Sequence, residues 1–217
     1  MSIDTSATAA PPLLSARALT CLRDEEALFE RIDFDLAAGH LLVLEGRNGA
    51  GKTTLLRALL GLHPLTATAL SFCGTDVLRE RHPLCAGALW LGHLLALKGD
   101  LTVRENLHYS LSIGDEDTHG DVDTLCASLG LAGYEDTPTR ALSAGQRKRA
   151  ALARLAASRR SLWLLDEPFA NLDAPGMAVV ECLLAEHLAR GGSAMLTSHG
   201  VLPITLPATT VRLEHSR

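Results

Sequence analysis

An α/β fold with a mainly parallel core sheet is predicted, and three stretches predict it. Leu41-Leu42-Val43-Leu44-Glu45 is a short apolar run that opens into Gly46-Arg47-Asn48-Gly49-Ala50-Gly51-Lys52-Thr53, with a helical run over 54–60 behind it. Ser161-Leu162-Trp163-Leu164-Leu165 is a second apolar run and closes on Asp166-Glu167-Pro168. Ser193-Ala194-Met195-Leu196-Thr197 is a third, followed by Ser198-His199. Short apolar runs bounded by turn signals fit strands buried on both faces of a parallel sheet.

The remaining elements follow in chain order. Residues 1–12 are rich in Ser, Thr, Ala and Pro and read as a flexible tail. Asp4 and the lack of an early basic cluster argue against a signal peptide. Residues 14–23 and 28–36 predict strands of an edge sheet, and Gly39 marks a turn into the strand over 41–45. Residues 69–73 and 88–91 predict further strands. From 101 to 158 the pattern is mostly helical, with Thr102 capping a helix that starts at Val103. Strands resume at Leu162 and Ala194, with a helix near 176–190 between them. Few residues follow His199, so no further domain is expected there. There is no internal repeat.

Composition narrows the class. A chain of 217 residues suits one sizeable core. A net charge of −5 gives no nucleic-acid footprint, so no nucleic-acid partner is expected. The 5 cysteines (Cys21, Cys73, Cys85, Cys126, Cys182) are scattered without a C-x-x-C pair, as in a reduced cytosolic protein. No apolar stretch reaches the roughly 20 residues that span a bilayer. The longest candidate, 86–97, contains His93 and is too short, so the chain is not expected to cross a membrane by itself.

The glycine-rich run matches G-x-x-x-x-G-K-[ST] between a strand and a helix, which is a P-loop in its proper context. Gly46, Gly49 and Gly51 let the backbone wrap closely around phosphate oxygens, where a Cβ would obstruct. The N–H groups of Gly46, Arg47, Asn48, Gly49, Ala50, Gly51, Lys52, Thr53 and Thr54 and the helix N-terminus form the expected phosphate cradle. Lys52 would reach the β- and γ-phosphates, and the Thr53 hydroxyl would bind Mg²⁺. The acid pair lies where parallel sheets present ligands, at the C-terminal edge of a strand. Asp166 is expected to hold Mg²⁺ through water, and Glu167 to polarise the attacking water. Successive strand side chains point opposite ways, so the two acids have different tasks.

Leu142-Ser143-Ala144-Gly145-Gln146 then precedes a helical run. Ser143 reads as the cap of a helix whose free N–H groups favour an anion. Arg147, Lys148 and Arg149 oppose the dipole there, so another purpose is needed; facing ATP phosphates is one. These five residues resemble the signature motif of ATP-binding-cassette (ABC) ATPases. Asn171-Leu172-Asp173 is similar to that family's D-loop, and His199 to its switch histidine.

Within the family the chain most resembles the ATP-binding subunits of the haem exporter of cytochrome c biogenesis. The resemblance runs over nearly everything after the tail. Its carriers include Cys21-Leu22-Arg23-Asp24-Glu25, Leu89-Trp90-Leu91-Gly92-His93, Leu101-Thr102-Val103-Arg104-Glu105-Asn106-Leu107, Leu131-Ala132-Gly133-Tyr134 and Leu162-Trp163-Leu164-Leu165-Asp166-Glu167-Pro168-Phe169.

The resemblance implies a P-loop NTPase of the ABC type. Its mainly parallel core sheet would carry an N-terminal antiparallel edge sheet and an inserted helical subdomain. One domain over 13–217 is expected, with its core about 13–93 and 159–217 and the helical part about 94–158. Function is implied too: ATP and Mg²⁺ as cofactors, and ATP hydrolysis supporting haem transfer or release of a haem-loaded chaperone. The implied partners are a second copy of the chain and integral membrane permease subunits of a haem-handling complex, at the cytoplasmic face of the bacterial inner membrane. Leu142, Ser143, Ala144, Gly145 and Gln146 would bind the γ-phosphate held by the opposite subunit, and His199 would contact the γ-phosphate in its own. An ABC transporter for another substrate and a soluble ATP-dependent switch share these residues.

Two positions depart from the family pattern. Leu94 stands where a Mg²⁺-sensing glutamine is usual, and the chain's only glutamine is Gln146. Arg23 stands at the place of the adenine-stacking aromatic, where a guanidinium can stack on a purine.

Overall fold

The computed structural model describes residues 11–23, 26–29, 31–113, 121–198 and 204–214. β1 (Leu14–Arg23), β2 (Glu26–Ala27) and β3 (Ile32–Leu36) lead to β4 (Leu41–Glu45) and α1 (Lys52–Leu59). β5 (Leu65–Thr66), β6 (Ala69–Phe72), β7 (Thr75–Asp76) and α2 (His82–Gly87) precede β8 (Ala88–Leu91). The helices α3 (Val103–Ile113), α4 (Val122–Ser128) and α5 (Ala144–Ala157) follow. β9 (Leu162–Leu165), α6 (Ala174–Ala189), β10 (Ser193–Thr197) and β11 (Ala208–Arg212) complete the order.

Two sheets form, as the sequence predicts. The core sheet has the order β11-β4-β10-β9-β8 and every pairing in it is parallel. The other is antiparallel around β1, which pairs β2, β3, β5 and β6. In the core sheet Leu44 lies beside Thr197, and Leu196 beside Leu165. That register brings the ends of β4, β9 and β10 to one edge, where the P-loop and the acid pair begin.

The pleat explains why these strands are apolar throughout. Leu42, Leu44, Leu162, Leu164 and Met195 point into one cluster, with Leu55 and Leu56 of α1 and the antiparallel sheet. Leu41, Val43, Trp163, Leu165, Ala194 and Leu196 point into the other, with Leu152 of α5 and Val180 and Leu184 of α6. Alternate residues face opposite ways, so a strand covered on both sides cannot show a polar face. Each fully buried leucine contributes about 1.5–3 kcal/mol.

The long helical stretch is tied together by polar groups at its turns. Thr102 caps α3 through a reciprocal pair: Glu105 N donates to Thr102 Oγ1 at 3.1 Å, and Thr102 N donates to Glu105 Oε2 at 2.8 Å. Asn106, almost fully buried, donates to the Lys98, Leu101 and Thr102 carbonyls and fixes the loop before α3. Arg104 bridges Asp123 of α4 at 2.7 Å and Asp136 at 2.9 Å.

Several elements differ from the sequence reading. The strand expected over 28–36 is confined to β3, and β1 carries a bulge between Ala16 and Leu19, with Ala18 at φ +48°. α2 and β11 are additional. The expected helix over 176–190 begins earlier, because Asp173 Oδ1 accepts from Gly176 N at 2.9 Å and Pro175 occupies the first turn. Residues 1–10 of the expected tail lie outside the described residues. Among the described residues no helix is long and apolar enough to cross a membrane.

The opposite end of the sheet is closed by an aromatic stack. The His187 ring lies 3.8 Å from that of Trp163, nearly parallel to it, and its Nε2 donates to the Ser193 carbonyl at 3.1 Å. Burial pushes the His187 pKa down to about 4. A cavity of about 500 Å³ beside it is lined by Arg159, Arg160, His187 and Arg190, at the edge where β9 and β10 begin.

Candidate nucleotide site

The P-loop leaves β4 and turns into α1 over three glycines of positive φ: Gly46 at +154°, Gly49 at +84° and Gly51 at +93°. Two of them are required by the chain's own packing. A Cβ on Gly46 would stand 2.6 Å from the Leu213 carbonyl oxygen, and one on Gly51 would stand 2.9 Å from the Phe29 ring. Only at Gly49 would a Cβ meet nothing within 4 Å. The phosphate-approach argument therefore holds for Gly49, while Gly46 and Gly51 also answer to steric contact with β1–β2 and β11 neighbours. Arg47, Asn48 and Gly49 are exposed at the tip, Ala50 is buried and Thr54 half-buried.

Lys52 opens α1 and is 5% exposed. Its Nζ donates to the carbonyls of Gly46 at 2.6 Å and Arg47 at 3.2 Å, which closes the loop on itself. Burial lowers its pKa, and the negative charges of Glu167 and Asp166 oppose that shift.

Thr53 connects the loop to the acid pair. Its hydroxyl donates toward both Asp166 carboxylate oxygens, at 2.9 and 3.0 Å, across 113 positions of sequence. Asp166 is 4% exposed, and its backbone N–H donates to the Leu91 carbonyl at 2.8 Å. Thr197, at the end of β10, is a second hydroxyl on the same carboxylate, donating to Oδ1 at 2.8 Å. The same Thr197 oxygen accepts the Glu167 N–H at 2.9 Å. One hydroxyl thus serves both acids. Sequence reasoning missed Thr197; the available signal was a lone polar residue closing an apolar strand.

Glu167 is half-buried and has φ +50°. A non-glycine residue held there costs about 1–3 kcal/mol and persists only when its neighbours over-determine it. A threonine hydroxyl beside one carboxylate is an all-oxygen donor set of the kind a hard cation takes. Among the described residues no group of three or more His, Cys, Asp and Glu could hold a metal ion.

The predicted signature turn is a capping box. Ser143 Oγ accepts from Gln146 N at 3.2 Å, and Gln146 Oε1 accepts from Ser143 N at 2.8 Å. Leu142 is buried beneath it, while Ser143 and Ala144 are exposed and nothing lies within 4 Å of where a Gly145 Cβ would stand. Among the described residues the capping hydrogen bonds of this turn run between Ser143 and Gln146. The cations after it each have an acceptor within the chain. Arg147 donates to the Leu142 carbonyl at 2.7 Å, Arg149 pairs with Asp173 at 3.0 Å, and Lys148 Nζ reaches the Glu167 carbonyl at 3.4 Å. Those acceptors explain basic residues at a helix start.

Of the other predicted positions, Arg23 ends β1 opposite Glu26, and its side chain lies outside the described residues. His199 also lies outside them. Leu94 follows β8 and is 83% exposed. Asn171 takes φ +60° in the turn before Asp173.

Comparison with known proteins agrees with this geometry. The family described as ABC transporter matches residues 29–170. The cytochrome c biogenesis ATP-binding export protein CcmA of Xanthomonas campestris pv. campestris is 48% identical over 192 residues, covering 88% of each chain. Its namesake in Pseudomonas syringae pv. tomato is 46% identical over 201 residues, covering 93% of this chain and 94% of that one. In fold, a putative ABC transporter ATP-binding protein from Pyrococcus furiosus superposes with a TM-score of 0.78 at 20% identity, over 92% of this chain and 96% of that one. An ATP-binding subunit of another ABC transporter gives 0.75 at 21% identity, over 86% of this chain and 79% of that one. The chain belongs to the ABC transporter family of ATP-binding proteins.

Proposed function

We propose that this chain is the ATP-hydrolysing subunit of the haem exporter that serves cytochrome c maturation. The bond from Thr53 to Asp166 is the observation that carries it, because it joins a phosphate cradle to a strand-end acid pair. Relatives named for cytochrome c biogenesis and export support the cellular role. An ABC transporter for another substrate is the competing reading.

The phosphates of ATP would bind along Gly46 to Thr54, with Lys52 exchanging its loop carbonyls for β- and γ-phosphate oxygens. Thr53 and Asp166 would hold Mg²⁺, which supplies charge neutralisation at those oxygens. Glu167 would orient the attacking water and accept its proton. His199 would contact the γ-phosphate, and Arg23 the adenine. Leu142 to Gln146 would close over the nucleotide of a second copy of the chain. A two-fold dimer sets each turn against the other's cradle, so one self-complementary surface serves both sites. Haem-handling permease subunits would hold the pair peripherally at the cytoplasmic face of the inner membrane.

The test is a pull-down of the tagged chain from detergent-solubilised membranes, assaying ATP turnover and bound haem in wild type and Glu167→Gln. A haem-containing membrane complex whose turnover falls about 10²–10⁴-fold in the variant supports the proposal. An active ATPase bound to a permease without haem contradicts it in favour of the competing reading.

A further inference from the structure

Glu167 has the strained backbone of the site, and its two peptide groups are held separately. The N–H is held by Thr197 of β10. The carbonyl faces Ala170 N at 3.1 Å within its own turn and the ammonium of Lys148 at 3.4 Å from α5. Lys148 is 7% exposed and is the fifth residue of α5, just past its first turn. A buried ammonium is unfavourable unless it is paired. Its placement is accounted for by what it faces: the Glu167 carbonyl, with the charges of Asp166 and Glu167 near enough to counter the effect of burial on its pKa. α5 is also the helix that Ser143 caps, so Lys148 joins the signature turn to Glu167 within one chain.

We propose that Lys148 is a positioning residue for hydrolysis, holding the Glu167 backbone in the left-handed conformation that aims its carboxylate and tying that conformation to the signature helix. This rests on the reading of Glu167 as the residue that handles the attacking water. Lys148 itself touches no reacting atom. A displacement of about 1 Å at a catalytic group costs about a hundredfold in rate, so the effect falls on kcat and leaves nucleotide binding alone.

The experiment measures ATP turnover by the detergent-purified membrane complex carrying Lys148→Met, which keeps the aliphatic stem and removes the donor. The expected result is a fall in kcat of about a hundredfold with the KM for ATP within about twofold of wild type. Lys148→Arg, which keeps a donor, is expected to restore most of kcat. In a Glu167→Gln background Lys148→Met is expected to cost nothing further, because a residue acting only through Glu167 then has nothing to position. If the Met variant is not recovered folded, Lys148→Gln, too short to span the gap, is held to the same expectations. Wild-type kcat in the Lys148 variant overturns the proposal, as do equal proportional losses with and without Glu167. Full turnover in Glu167→Gln alone overturns instead the reading of Glu167 on which the proposal rests.

Discussion

Replacing Thr197 with valine tests how the acid pair is held. Thr197 is 1% exposed, and its hydroxyl is divided between Asp166 Oδ1 at 2.8 Å and the Glu167 N–H at 2.9 Å. Valine keeps the shape and removes both bonds. The bond to the carboxylate is worth about 1.5–3 kcal/mol, and stranding the Glu167 N–H costs about 1–3 kcal/mol more. The new buried methyl offsets roughly 1 kcal/mol. The net loss is then about 1.5–5 kcal/mol, with the two bonds sharing one atom and not strictly additive. Urea unfolding followed by the fluorescence of buried Trp163 reads this as a lower midpoint at unchanged slope. Thr197→Ser keeps the hydroxyl and loses one methyl, for about 1 kcal/mol. A valine variant at least as stable as the serine variant would refute the bridging role.

The His187 pKa is lowered to about 4, against roughly 6.5 in an unfolded chain. Its contribution to stability is full above the unfolded value and is lost as pH falls through the folded one, since the unfolded state takes the proton first. Between pH 7 and 4 the wild type should therefore lose more stability than His187→Phe, by at most about 3 kcal/mol; parallel unfolding curves would contradict this. Gly46→Ala places a Cβ against the Leu213 carbonyl and is expected to lower both the melting temperature and ATP affinity, so wild-type values for both would be inconsistent. Leu94→Gln adds an oxygen at an exposed position after β8 and should raise ATP turnover of the assembled complex severalfold, whereas unchanged turnover would show that Leu94 does not limit hydrolysis.

The motifs were legible because each couples a local pattern to a local structure. The P-loop reads from its glycines, β9 from an apolar run that stops at two acids, and the α5 cap from Ser143 and Gln146 alone. β11 was not legible: Ala-Thr-Thr-Val-Arg is mostly exposed, and its pairing with β4 lies across most of the chain. The roles of Gly46 and Gly51 were only half legible, since Leu213 and Phe29 reach them through tertiary contact. The intrachain acceptors of Arg147, Lys148 and Arg149 were hidden for the same reason. These acceptors, the Leu142 and Glu167 carbonyls and Asp173, become neighbours only once α5 packs beside β9 and the cap of α6.

The most direct test of the account compares ATP binding and single-turnover hydrolysis by the purified complex, wild type against Glu167→Gln. Retained binding with hydrolysis slowed about 10²–10⁴-fold is the predicted result. Hydrolysis at the wild-type rate, or loss of binding together with hydrolysis, would contradict the assignment of Glu167 to the chemical step.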